Sequence, residues 1–63
     1  MKSLKLMALD VGTKRIGIAL ADSFIKIAIP FTTVEVNNDV DSAIKQIIEI
    51  ISKEEIDVLV VGL

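Results

Sequence analysis

The stretch LKLMALDVGTKRIGIALAD, residues 4–22, decides the fold. Its first half carries two interleaved rows, Leu6, Ala8 and Asp10 against Met7, Leu9 and Val11, the pattern of a central strand that is apolar on both faces. Gly12-Thr13 marks a turn, and Arg15 to Ala21 reads as a second strand. There Ile16, Ile18 and Leu20 share one face. Gly17, Ala19 and Ala21 leave the other flat and small, so that a helix or a ligand can approach the backbone closely.

Working outward, Asp22-Ser23 is a second turn signal, followed by an apolar segment ending at Pro30. Phe31 to Val36 is rich in Thr and Val and reads as a third strand, with Pro30 at its entrance, where the missing N–H costs little. Asn37, Asn38 and Asp39 are N-cap candidates. Val40, Ile44, Ile47, Ile48 and Ile51 then fall on one stripe of a helix that runs to about Lys53. After the Glu54-Glu55 linker, Asp57 to Gly62 is a short strand whose centre, Val58-Leu59-Val60-Val61, is the unbroken apolar run usual inside a parallel sheet.

The order is therefore β-β-β-α-β, an α/β chain. Two tight hairpins make the first three strands antiparallel. A right-handed crossover through the helix then sets the fourth strand beside the first and parallel to it, giving a mixed sheet of predicted order 3-2-1-4. One helix covers only one face of such a sheet. The expectation is that residues 1–63 form the N-terminal part of a single larger domain, and that this fragment alone self-associates, through the open face or through the edge from Asp57 to Leu63.

Composition narrows the function classes. The chain has 63 residues, 52% of them hydrophobic, with no cysteine, no histidine and a net charge of −2. A domain this small buries only about 60% of its unfolded surface. Without cysteine there are neither disulfides nor thiolate metal sites, and without histidine neither the usual zinc ligand nor the usual general base. No apolar run reaches the roughly 18 residues of a membrane span. Lys2 and Lys5 are followed by Asp10 and Lys14, which is unlike a secretory leader. A cytoplasmic chain with no membrane partner is expected. The net charge offers no global attraction to nucleic acid, so any such binding needs a local cluster of positive charge.

The chemistry-bearing residues lie in the quoted stretch. Asp10 ends the central strand, and a carboxylate there is a hard oxygen ligand for Mg2+ (or Mn2+). Gly12, in the turn beside it, lets a phosphate approach the backbone. Lys14 and Arg15 place two positive charges alongside, suited to phosphate contacts. The same residues also read as a strand-end turn former and a solvated hairpin tip. Asp22 reads as a turn residue, Asp57 lies at the far end of the sheet from Asp10, and Glu49, Glu54 and Glu55 read as solvated helix and linker charge.

The segment LDVGTKRIGIALAD, residues 9–22, resembles the N-terminal signature of the YqgF-type family, nucleases associated with the precursor of 16S ribosomal RNA and also described as Holliday-junction-resolvase-like. IDVLVVGL, residues 56–63, is similar to that family's next block. The resemblance spans nearly the whole chain and implies a ribonuclease H-like fold. It also implies metal-dependent cleavage of structured RNA or branched DNA in ribosome biogenesis, with Asp10 as catalytic and metal-binding residue. Gly12, Thr13, Lys14 and Arg15 then form a nucleic-acid-binding loop. Members are about twice as long, with their other acidic positions beyond residue 63, so the fragment alone is expected to be inactive and Mg2+ binding to need those carboxylates. Asp-Val-Gly-Thr in a hairpin also resembles the first phosphate motif of the actin, Hsp70 and sugar-kinase ATPases; nucleotide binding through Gly12 would mark that alternative.

Overall fold

The computed structural model describes residues 3–25 and 27–62. Lys2 and Leu63, which entered the leader and edge expectations, lie outside the described residues. Five elements follow in the expected order: β1 (Lys5–Val11), β2 (Arg15–Asp22), β3 (Ile29–Glu35), α1 (Val40–Lys53) and β4 (Val58–Gly62). The sheet order is β3-β2-β1-β4. β1 is antiparallel to β2 and parallel to β4, with Leu9 opposite Ile18 and Val61, and Asp10 opposite Gly17 and Gly62.

This register sorts the side chains into two layers. Met7, Leu9 and Ile18 turn inward with Val34, and Ala43 and Ile47 of α1 close over them; Met7 is fully buried. The opposite face carries Leu6, Ala8, Asp10, Gly17, Ala19, Ala21 and Thr33, and no element of the described residues covers it. At the foot of the sheet the chain is clamped. The Asp57 amide donates to the Lys5 carbonyl at 2.8 Å, the Lys5 amide donates to Asp57 Oδ2 at 2.9 Å, and the Ser23 amide donates to the Leu4 carbonyl at 2.9 Å.

Four details differ from the sequence reading. First, the β2–β3 connection runs from Ser23 to Ala28 and is not a tight hairpin. Asp22 does turn the chain, accepting a hydrogen bond from the Phe24 amide at 2.8 Å. Second, β3 begins at Ile29, so Pro30 lies within it rather than at its entrance. The strand tolerates this because β3 is an edge and a register shift falls between Ile18 and Ala19, the residue that Pro30 faces. Third, the inward face of α1 is Ala43 and Ile47, with Ile50 and Ile51 packed beside them. Val40, Ile44 and Ile48 of the expected stripe are 58%, 45% and 57% exposed. Ala43 fits flat against the sheet where a larger residue would hold the helix off, and that contact sets the helix's rotation. Fourth, β4 is exposed at every residue and forms an edge, although its apolar run resembles a buried strand. α1 closes over Met7, Leu9, Ile18 and Val34 of β1 to β3, while every residue of β4 stays exposed.

Asp39 is the N-cap, its side chain accepting from the Ser42 amide at 3.1 Å, while Asn37 and Asn38 turn the chain with left-handed φ of 46° and 61°. At the other end the Ile56 amide returns to the Ile51 carbonyl at 3.1 Å over a left-handed Glu55, a Schellman-type stop made without glycine. Glu54 is not merely solvated linker charge. It is half-buried and pairs with Lys5 at 3.0 Å, tying the helix end to the foot of β1.

Ile47→Ala is expected to destabilise the fold by about 2–5 kcal/mol, as other buried aliphatic truncations do. Ile48→Ala, one residue along the same apolar run, should stay within about 0.5 kcal/mol of the parent. Thermal unfolding followed by far-UV circular dichroism checks the pair, and equal losses would place the helix in the wrong rotation.

Candidate functional site

Asp10 is the penultimate residue of β1, on the uncovered face. Period-two alternation puts it there, because Leu9 and Val11 on either side pack toward the core. Its carboxylate is exposed and takes no part in the hydrogen bonds or ion pairs of the described side chains. Both oxygens are therefore free for a hard cation. Among the described residues no group of three or more histidines, cysteines, aspartates or glutamates could hold a metal ion together. The residues present fit one carboxylate's share of such a site.

The turn after β1 closes by a hydrogen bond from the Gly12 amide to the Arg15 carbonyl at 2.9 Å. A Cβ on Gly12 would sit 2.9 Å from that same carbonyl oxygen, so glycine is demanded by the hairpin itself, whatever approaches from outside. The Val36 amide donates to the Lys14 carbonyl at 2.9 Å and holds the hairpin tip against the β3–α1 turn.

Thr13, Lys14 and Arg15 are all exposed on this tip. They line a polar recess of about 300 Å3 with Glu35, Asn37 and Asn38. Arg15 Nε donates to Glu35 Oε1 at 3.2 Å, a pair whose side chains are 70% and 54% exposed. Such pairs contribute about 0–1 kcal/mol and exchange readily for another anion. Lys14 has no ion-pair partner among the described residues.

Asp10 does not line that recess. It borders a different one, of about 280 Å3, with Ala8, Gly17, Ala19, Pro30 and Thr33 among its walls. The expected site is thus split, with the carboxylate over the open face and the two cations at the end of the sheet. The sequence reading missed Asn37 and Asn38 as neighbours of Lys14, and Thr33 as a neighbour of Asp10. The register of β3 against β2, which the bulge makes hard to foresee, is the signal that finds Thr33. Asp57 lies at the foot of the sheet, as expected, and Asp22 is taken up by its turn.

The sequence matches the family described as RuvX: Holliday junction resolvase over residues 4–63. The chain belongs to the RuvX family. Similar RuvX-type relatives bear the name "Putative pre-16S rRNA nuclease". One from Chloroflexus aurantiacus is 40% identical over 58 residues, which are 92% of this chain and 37% of that protein. One from Roseiflexus sp. is 42% identical over 59 residues, covering 94% and 41%. One from Trichormus variabilis is 42% identical over 62 residues, covering 98% and 40%. The chain spans about two fifths of the length of these curated relatives. Its β-β-β-α-β order and 3-2-1-4 sheet agree with the ribonuclease H-like fold of RuvX proteins. The match covers the Gly12 hairpin and assigns it to this family rather than to the ATPases it also resembles.

Gly12→Ala is expected to cost about 1–3 kcal/mol, since the added methyl meets backbone that can yield only by opening the hairpin. Chemical denaturation of the parent and variant checks this. A loss confined to ligand binding, with stability unchanged, would contradict it.

Proposed function

We propose that the chain supplies the first metal-binding carboxylate and the phosphate-holding hairpin of a nuclease that trims the precursor of 16S rRNA. The observation that carries the reading is the unpartnered Asp10 carboxylate at the end of the central strand in a chain of the RuvX family. Asp10 holds Mg2+ (or Mn2+), together with carboxylates from outside residues 1–63. The bound ion supplies Lewis-acid polarisation of a phosphoryl oxygen and activation of water. Lys14 attracts a backbone phosphate directly, and Arg15 does so by exchanging Glu35 for it. Neither reads base identity, which suits recognition by structure.

In a polypeptide of the relatives' length that carries these residues, Asp10→Asn removes Mg2+-dependent cleavage of a structured pre-rRNA substrate by at least about 100-fold, on the scale of other lost transition-state contacts. The amide has the carboxylate's shape on an exposed site, so circular dichroism stays unchanged. Full cleavage by the variant rejects the assignment. The 63-residue chain alone cleaves nothing, because a single carboxylate does not assemble the several-ligand metal site this chemistry requires.

As a separate species the chain self-associates. Its accessible surface is 4841 Å2, against about 4,000 Å2 for a compact monomer of this mass. The excess is close to the ~800 Å2 per partner of a standard interface. The bare edge and exposed Leu59, Val60 and Val61 of β4 provide the contact. Sedimentation velocity at micromolar concentration should give a dimer or larger. A monomer that unfolds cooperatively would show that the sheet tolerates its open face and edge.

A further inference from the structure

The open face of the sheet holds a row that crosses three strands at one level: Asp10 on β1, Gly17 on β2 and Thr33 on β3. Residues directly opposite in antiparallel pairs project to the same side, so Thr33 stands on the face that carries Asp10. With strands about 4.8 Å apart, the two Cα atoms are about 10 Å apart. Gly17 lies between them with no side chain, and Ala8 and Ala19 flank it with methyls. The result is a trough, part of the recess of about 280 Å3 that Asp10 and Thr33 both border.

Gly17 is not required by the backbone here. It has no left-handed φ, and a Cβ on it would meet Asp10 Cβ at 3.7 Å, an ordinary contact. The fold itself therefore admits alanine, and the missing methyl leaves room over the sheet. Thr33 is exposed, and its hydroxyl takes no part in the side-chain hydrogen bonds of the described residues. A hydroxyl both donates and accepts. The trough thus runs from a free carboxylate, over a small apolar floor, to a free hydroxyl.

We infer that this trough seats the nucleotide next to the one whose phosphate lies at Asp10, with its sugar over Gly17 and its backbone held by the Thr33 hydroxyl. Thr33 is then a substrate-binding residue, and Gly17 sets the depth of the seat. The inference rests on the nuclease reading above and extends it to a contact on β3. Arg15, two residues from Gly17 on β2 and opposite Glu35 of β3, lies with Lys14 toward the head of the sheet from this trough, so the two cations meet the bound strand beyond its head end.

The test is binding of a fluorescein-labelled RNA hairpin to a polypeptide of the relatives' length that carries these residues, followed by anisotropy with Ca2+ in place of Mg2+, and a DNA hairpin of the same sequence in a second arm. Thr33→Val keeps the β-branched shape and removes the hydroxyl. It should weaken RNA binding about tenfold, the worth of one hydrogen bond to a charged group. Thr33→Ser should restore it. Gly17→Ala should weaken it comparably while leaving circular dichroism unchanged, and Ser52→Ala, exposed on α1 and outside the recess, should have no effect. A loss confined to RNA assigns the hydroxyl to the 2′-OH, and an equal loss with DNA assigns it to the phosphate; either supports the seat. Parent-like affinity in Thr33→Val and Gly17→Ala, with a loss in the Lys14→Ala/Arg15→Ala double variant, overturns the trough and leaves the nuclease reading standing. No binding of either hairpin by the parent chain overturns both.

Discussion

The arrangement depends on the register of β1. Its two rows differ by one polar group: Met7 and Leu9 go into the core, and Leu6, Ala8 and Asp10 go to the open face. A slip of one residue against β2 would exchange the rows and carry the Asp10 carboxylate beneath α1, among Ile18, Val34 and Ile47. Burying an unpaired carboxylate there costs several kcal/mol at least, more than the small core of six buried residues among those described can offset. The Asp10 charge therefore also locks the strand in the register that exposes it. Folding and the proposed metal-binding role would make the same demand on Asp10.

The fixed points around β1 act at its two ends. At the foot, Asp57 and Ser23 reach the Lys5 and Leu4 backbone, and Glu54 holds the Lys5 ammonium. At the head, the Gly12 hairpin and the Val36–Lys14 hydrogen bond bring the β3–α1 turn up to the site. The turn is made by two asparagines in left-handed conformations, residues that tolerate this region better than most. The foot is thus held by part-buried side chains as well as backbone, and the head by backbone and the exposed Arg15–Glu35 pair. That leaves the side chains at the head (Asp10, Thr13, Lys14, Asn37 and Asn38) free for an external partner.

Much of this was legible in the sequence because β1 and β2 alternate cleanly and α1 carries its N-cap at Asp39. The strand order followed from the right-handed crossover once the elements were placed. What the sequence obscured were relations between elements. The stripe through Ile44 and Ile48 has the right period, but Ala43 is the residue that can lie flat on the sheet, and packing chose it over the larger side chains. The apolar run of β4 suggested burial, although α1 packs on the other strands and leaves β4 exposed. Arg15 looked free until β3 brought Glu35 opposite it. Thr33 carried no signal of its own, because its place beside Asp10 is fixed by a register that passes through a bulge.

That bulge has a consequence for assembly. The sheet has two edges of unlike character. β4 offers an unbroken apolar strand, whereas β3 carries Pro30, which donates no backbone hydrogen bond, at a point where the ladder is already irregular. Two copies joined through β4 about a two-fold axis would make one continuous sheet whose outer margins are both β3. Each margin is capped by proline and bulge, so neither templates a further strand. Pairing of this kind would close on itself after a single step, and a chain so paired would be protected from fibrous growth by an irregularity at the edge farthest from the contact.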